Sequence, residues 1–459
     1  MVISFNKPSS LNNIDTSVSL LINKSIACSI AAFCFCVIVI SLFVIFSSIQ
    51  PLRNLHTYLD SAMAVVINEL FFPKTDPQVA SLLSAAAFCS TYLLRPFAAL
   101  VLGWIGDNIG RKATVIITTF IMAISCFIMA TLPTYAEKGI VVSWIMIICR
   151  MSQGVSSMGE IVGAELYVTE TTKPPVQYTY VGIINIAAQW GGIMALAFGI
   201  ISITYLFNWR YAFWGGTIIA LVGFIARTNL RESTEFIDAK RRIKNTLENF
   251  GINDKELSFK EYVEEKINIK TILAYFFLVN SGSACFYLTY IYCASLLKTN
   301  FNYTALEIMK NNFCLAIAQL ILMITLVLLT KKFHPLKLLK VRAIIFLICM
   351  PSSIYLLNNI TTSSSLSKIQ LLLVMTSITT STAVSILYKN FPIFKRFTFT
   401  TLIYAFSSIF IYVVTSFGIA YLVNMLGTYG ILLIMIPVGV AFYWGVTHFE
   451  SLEKVRYNY

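Results

Sequence analysis

Apolar residues in this chain come in long runs, not in the short alternating patterns of a water-facing domain. A bilayer core of about 30 Å is crossed by about 20 helical residues at 1.5 Å rise each. Twelve runs reach or approach that length, near 26–49, 79–102, 113–132, 140–163, 178–202, 209–226, 270–297, 311–330, 342–357, 366–388, 398–424 and 427–447. They predict twelve membrane-crossing helices. The first is too long for a signal-peptide core and no small-x-small cleavage site follows it. The ninth is the weakest, because Pro351 interrupts it and Asn358 and Asn359 close it.

The polar stretches divide the chain. An insert at 50–78 separates the first two spans, and its pattern from Leu52 to Phe72 predicts a short surface helix ending at Pro73. A longer stretch, 228–269, leaves six spans on either side and contains Asp238-Ala-Lys-Arg-Arg-Ile-Lys244. It reads either as an amphipathic helix on the cytoplasmic side or as a solvated linker. The expected organisation is a tail at 1–25, a six-helix bundle at 26–227, the linker at 228–269, a second bundle at 270–447 and a tail at 448–459.

Composition narrows the class further. Hydrophobic residues make up 57% of the 459 and charged residues 12%, about half the charged share of a soluble protein. A soluble enzyme, a disordered scaffold and a disulfide-rich secreted domain are excluded. The net charge of +13 invites a nucleic-acid reading, but the basic residues lie mainly in short loops between apolar runs, as topology requires. With the N-terminus inside, cytoplasmic segments hold 25 Lys and Arg and external ones six, so both termini are expected in the cytoplasm. The ten cysteines all fall in apolar runs without metal spacing and read as buried thiols. No metal set, nucleophile–base pair or phosphate-cradling loop is present, so neither catalysis, nor a cofactor, nor ATP-driven transport is expected.

The loop after the second span reads Gly103-Trp-Ile-Gly-Asp107-Asn-Ile-Gly110-Arg111-Lys112. Glycines permit a tight turn and close helix approach, Asp107 can face a helix N-terminus, and Arg111 and Lys112 hold the loop in the cytoplasm. The pattern resembles the signature loop of the major facilitator superfamily. Leu94-Arg95-Pro96-Phe97 precedes it. Arg150-Met-Ser-Gln153-Gly154 through Gly159-Glu160 to Gly163-Ala164 forms the fourth span. Trp209-Arg210-Tyr-Ala-Phe213 opens the sixth, and Leu230-Arg-Glu232-Ser-Thr-Glu235-Phe236 follows it. Together these resemble the metabolite–proton symporter family, which includes proline/betaine, α-ketoglutarate, citrate and shikimate transporters. Phe391-Pro392-Ile-Phe-Lys395-Arg396-Phe-Thr398 echoes that family's loop before the eleventh span. The resemblance implies an all-α membrane protein with twelve transmembrane helices in two six-helix bundles, the major facilitator fold. It also implies secondary transport of a small organic solute with protons by alternating access. Abundant Ile, Asn and Lys suggest an AT-rich bacterial genome, and with it an inner-membrane location.

The chain departs from that family in four places. The first span has Phe35-Cys36-Val37-Ile38 where the family has an acidic and aromatic cluster. The turn after the fourth span, Lys173-Pro174-Pro175-Val176-Gln177-Tyr178, lacks its arginine. The second-half counterpart of the signature loop is only Lys331-Lys-Phe-His334-Pro335, and the eleventh span has Tyr404-Ala405 in place of Tyr-Asn. An uncoupled facilitator or exchanger, a non-transporting membrane sensor and a decayed paralogue are the alternatives that these losses leave open.

Charge inside a span is costly, so such residues face a bundle interior or cavity and mark function. Arg150, Gln153, Asn185, Gln189, Tyr287 and Tyr404 are the candidate solute contacts, with Asn280, Tyr290 and Gln319 as further polar groups. Glu160 is the main proton-coupling candidate, with Glu165 the lesser. Arg95, Gly103, Asp107, Gly110, Arg111 and Lys112 are assigned to gating, with Arg95 pairing Glu160 either for coupling or as a structural clamp. The alternative for Arg150 is a helix-packing role, and for the tyrosines interfacial anchoring. The second half shows no charge deep in a span. The expected partners are a small organic solute, protons and the lipid bilayer, with no nucleic acid, and the chain is expected to act as a monomer.

Overall fold

The computed structural model describes residues 94–205, 210–228, 232–249 and 267–457. The first span, the start of the second, the insert at 50–78 and most of the linker's second half lie outside the described residues. Within them the principal helices are α1 (Arg95–Asn108), α2 (Arg111–Thr131), α3 (Ile140–Thr171), α4 (Val176–Tyr205), α5 (Arg210–Thr228) and α6 (Thr234–Asn249). After the linker come α7 (Ile269–Phe286), α8 (Cys293–Phe301), α9 (Ala305–Leu329), α10 (Pro335–Asn358), α11 (Ser363–Thr376), α12 (Val384–Lys389), α13 (Arg396–Val413), α14 (Ile419–Leu426) and α15 (Leu432–Tyr457). Among the described residues, seven helical stretches are long and apolar enough to cross a membrane.

Capping follows local chemistry. Thr304 and Glu307 form a capping box at the start of α9, and the Asn268 and Thr362 side chains cap α7 and α11. Each bundle buries small and branched side chains inward. Large apolar residues such as Phe97, Trp104, Ile148, Phe417 and Tyr421 stay exposed on outer faces, as a lipid-facing surface requires. In the first bundle α2 packs on α3 and α5; in the second α7 packs on α13 and α15, and α10 on α15. Two seams join the bundles, α1 against α13 and α4 against α9.

Several elements differ from the sequence expectation. The fourth span does not stop at 163. Helix α3 continues to Thr171, 32 residues in all, or about 48 Å. The ninth begins at Pro335, seven residues early, and stays helical through Pro351. The residues expected as a C-terminal tail continue α15 to Tyr457. Of the described cysteines, Cys126, Cys149, Cys285 and Cys293 are buried, but Cys314 is exposed and Cys349 half-buried, since neither faces a bundle interior.

The tenth span is not one helix. It breaks between α11 and α12 over Ser377-Ile-Thr-Thr-Ser-Thr-Ala383. Hydroxyls compete with the backbone for hydrogen bonds and weaken a helix interior; Ser377 Oγ donates to Val374 O at 2.8 Å, and the Thr379 and Ser381 hydroxyls bond each other at 3.2 Å. The buried Arg342 of α10 donates to the Ser377 carbonyl, placing a cation at the C-terminal end of α11 where the helix dipole is negative. The expectation of no charge deep in a second-half span is corrected here, since Arg342 lies seven residues inside α10 and is buried. Because α10 starts early, Arg342 falls inside the bundle. A similar compensation serves the π-helical stretch Tyr287–Tyr292: Gln370 Nε2 donates to Thr289 O at 3.0 Å.

Candidate functional site

At the signature-loop end the two bundles are tied by a buried polar latch. Asp107, near the end of α1, accepts from the amides of Phe397 at 3.0 Å and Thr398 at 2.9 Å, both in the first turn of α13. A carboxylate from one bundle thus caps a helix of the other, neutralising amides that lack partners within the helix. Arg111 forks onto Glu170 of α3 through Nε and an Nη nitrogen, each at 3.0 Å, and donates to Gly106 O and Ile393 O at 2.6 Å each. Arg396 of α13 reaches the same Glu170 at 3.1 Å. Two guanidiniums therefore share one carboxylate across the bundle boundary, with Asp107 3.4 Å from Arg111.

The segment before α6 joins the latch. Glu232 accepts from the Arg111 and Lys112 amides, Ser233 Oγ donates to Glu170 at 2.6 Å, and the Phe236 ring lies 4.5 Å from the Arg111 guanidinium carbon. Glycine is required at two points. A Cβ on Gly103 would fall 2.6 Å from Thr398 Cα, and Gly110 holds a φ of +145° beside Glu232, a conformation that L side chains rarely adopt.

A second set of groups sits deeper. Gln189 of α4 donates to Gln319 of α9 at 3.2 Å across the seam, and Tyr290 donates to the same Gln319 oxygen at 2.7 Å. Between this set and the latch, Glu165 of α3 accepts from Tyr388 of α12 at 2.7 Å and from Asn185 of α4 at 2.8 Å.

The structure brings only part of the sequence-predicted site together. Gln153 is a correction: its amide donates toward the Cys126 and Met129 sulfurs of α2, so it faces the interior of the first bundle and not the seam. Glu160 is another. Its ion pair, at 3.8 Å, is with Arg227 of α5, not Arg95. Helix α1 runs on to Asn108, which places Arg95 13 residues, about 20 Å, from the latch end. Leu102 is the α1 residue beside Gly159, so Arg95 lies about 10 Å from the level of Glu160.

Arg150 is buried, and its Nε lacks a hydrogen-bond partner. No ion pair reaches it among the described residues, and residues 26–49 and 79–93 contain no acid. Tyr287 is buried on the π-helical stretch and Tyr404 packs beside the α1–α13 seam. Glu170, Arg227, Arg342 and Tyr388 were not singled out by sequence, and Arg396 only as part of the loop echo before the eleventh span. Arg227, Arg342 and Arg396 carried a signal as charges at the edges of apolar runs; Glu170 and Tyr388 had none short of the folded structure.

The Major Facilitator Superfamily profile matches residues 28–392. The chain belongs to the major facilitator superfamily. Within it, the chain is 27% identical over 254 residues to the proline/betaine transporter of Salmonella typhimurium, covering 53% of this chain and 49% of that one. It is 29% identical over 192 residues to the citrate-proton symporter of Klebsiella pneumoniae, covering 40% and 43%. The matched region spans about half the length of these relatives. Among solved structures, a proton:xylose symporter superposes with a TM-score of 0.70 at 13% identity, covering 94% of this chain and 96% of that one. The fucose:proton symporter of E. coli superposes with a TM-score of 0.62 at 14% identity, covering 92% and 98%. These neighbours share the fold: a multi-pass, all-helical membrane protein of the facilitator type.

Proposed function

We propose that this facilitator-family chain is a secondary transporter that carries a small, carboxylate-bearing organic solute with protons, by alternating exposure of a site between its two bundles. The observation that carries the reading is the latch. Its cross-bundle ties are hydrogen bonds and ion pairs at one end, which can be exchanged for water when the bundles rock apart. In this reading the latch end and both termini face the cytoplasm of a bacterium, the protein sits in the inner membrane, and one chain is the transporting unit. The bundles are 26–227 and 270–447, joined by 228–269.

Solute contacts are assigned to Arg150, Gln189, Tyr287 and Tyr404, with Asn185 at the inner edge. Arg150 supports the carboxylate. A buried guanidinium that no ion pair reaches among the described residues is expensive, and an anionic group forked onto it repays that cost. The proline/betaine and citrate transporters among its relatives are consistent with such a solute. Uptake of labelled proline, betaine and citrate into proteoliposomes with an imposed proton gradient tests the reading. Concentrative uptake of one of them, lost in Arg150→Ala and largely lost in Arg150→Lys, is the expected result. The absence of acids from the first span favours a second reading, an uncoupled exchanger, which would equilibrate the solute but never concentrate it.

A further inference from the structure

Among the described residues, four buried carboxylates line the first bundle between its middle and the latch. Asp107 and Glu170 face Arg111, Glu170 also faces Arg396, and Glu160 faces Arg227. Protonating Glu170 or Glu160 would take a counter-charge from a buried guanidinium, and protonating Asp107 would leave Arg111 to Glu170 alone. Glu165 is different. Its partners are neutral, the Tyr388 hydroxyl and the Asn185 amide, and among the described residues no ion pair reaches it. The flanking groups are Tyr275 of α7, edge-on to Tyr388 with ring centroids 6.1 Å apart, and Glu160 and Glu170, each five residues away on α3. Adding a proton to Glu165 therefore removes a charge that no described residue balances with an ion pair.

Glu165 is also placed to sense the transport state. It is fully enclosed, yet Tyr388 belongs to the opposite bundle. Parting the bundles at the latch withdraws that hydroxyl and opens the carboxyl to water, which solvates the charged form.

We infer that Glu165 is the proton-binding site of the cycle, the place where the co-transported ion is held. The inference rests on the proton-coupled transport proposed above. While the latch is closed, the carboxylate takes one proton and becomes a neutral acid that still accepts from Tyr388. When the latch opens, the O–H bond breaks and the proton passes to water on that side, with no other reactant needed. The closed state binds the proton more tightly, so closure is favoured at acid pH and opening as pH rises. One proton limits the dependence to about a tenfold change in the open-to-closed ratio per pH unit.

Two measurements on the full chain in lipid test this without knowledge of the solute. Infrared difference spectra between acid and alkaline pH should show the carbonyl band of a protonated carboxyl that disappears in Glu165→Gln, persists in Glu160→Gln and shifts in Tyr388→Phe, which keeps the fold but removes a hydrogen bond. Spin labels at Lys173→Cys and Lys332→Cys, both at exposed positions on opposite bundles, with the native cysteines replaced, should report an open population that rises with pH in the parent and stays flat in Glu165→Gln. A band untouched by Glu165→Gln, or a pH slope that survives it, overturns the assignment. If both measurements behave as expected while parent proteoliposomes never concentrate solute, the proton site stands and the symport reading falls.

Discussion

The latch makes a quantitative prediction for Asp107→Asn. In the closed state the carboxylate accepts two backbone N–H groups of α13 at 3.0 and 2.9 Å. The asparagine keeps one acceptor oxygen but turns an NH2 toward the other amide, so one bond is lost and the survivor loses its charge assistance. Bonds to charged groups contribute about 1.5–3 kcal/mol each, and Arg111 retains Glu170 as a counter-ion. A loss of about 2–3 kcal/mol from the closed state follows, which shifts the open-to-closed ratio by about 30- to 150-fold.

Ser385 offers a reporter for that shift. It lies on α12 at the bundle boundary, is fully buried, and its hydroxyl has no hydrogen-bond partner among the described residues, so Ser385→Cys is a mild change. Alkylation of that cysteine by an impermeant reagent in inside-out vesicles, followed by mass spectrometry of its peptide, reads the fraction of time the latch is open. Adding Asp107→Asn should raise the rate by about the same 30- to 150-fold. A rise of less than about threefold would mean that water replaces the two amide bonds without net cost, and the latch argument would fail.

Other outcomes follow from the same geometry. Glu160→Gln removes the carboxylate that pairs with Arg227 and should cost about 3–5 kcal/mol of stability, seen as a lower melting temperature in detergent, with part recovered in the Glu160→Gln, Arg227→Leu pair. Equal melting temperatures for Glu160→Gln and the parent would refute the buried pair. Gly103→Ala should raise Ser385→Cys alkylation in the same direction as Asp107→Asn, because its Cβ meets Thr398 Cα at 2.6 Å; an unchanged rate would contradict the close approach. For orientation, a cysteine at Ser233 should label only from the cytoplasmic side once the latch opens and one at Thr75 only from outside; labelling of Ser233 from outside would reverse the topology.

Much of this protein is legible without coordinates. Long apolar runs have one solution in a bilayer, because an unpaired backbone group in hydrocarbon costs too much for anything but a helix or a closed barrel. Membrane-crossing helices follow from that, with seven such stretches among the described residues, and the signature loop supplies the family. The role of Asp107 as a helix cap was also readable, since a carboxylate flanked by glycines at a turn suits an amide-rich partner. Which helix it caps was not: Phe397 and Thr398 are 290 and 291 residues away in sequence.

Ion pairing was decided by tertiary structure alone. Glu160 finds Arg227 and not Arg95, Gln153 turns to sulfurs within its own bundle, and Glu170 binds two arginines that share no local pattern with it. The break in the tenth span was hinted at by its run of serines and threonines, but whether hydroxyls bend or break a helix depends on a partner such as Arg342 to satisfy the freed carbonyl. Local chemistry along the chain sets how many helices form and where each can begin. Which buried charge is neutralised, and which, like Glu165, is left to a neutral neighbour from the opposite bundle, depends on helix rotation and contact across hundreds of residues, where no sequence period carries the information.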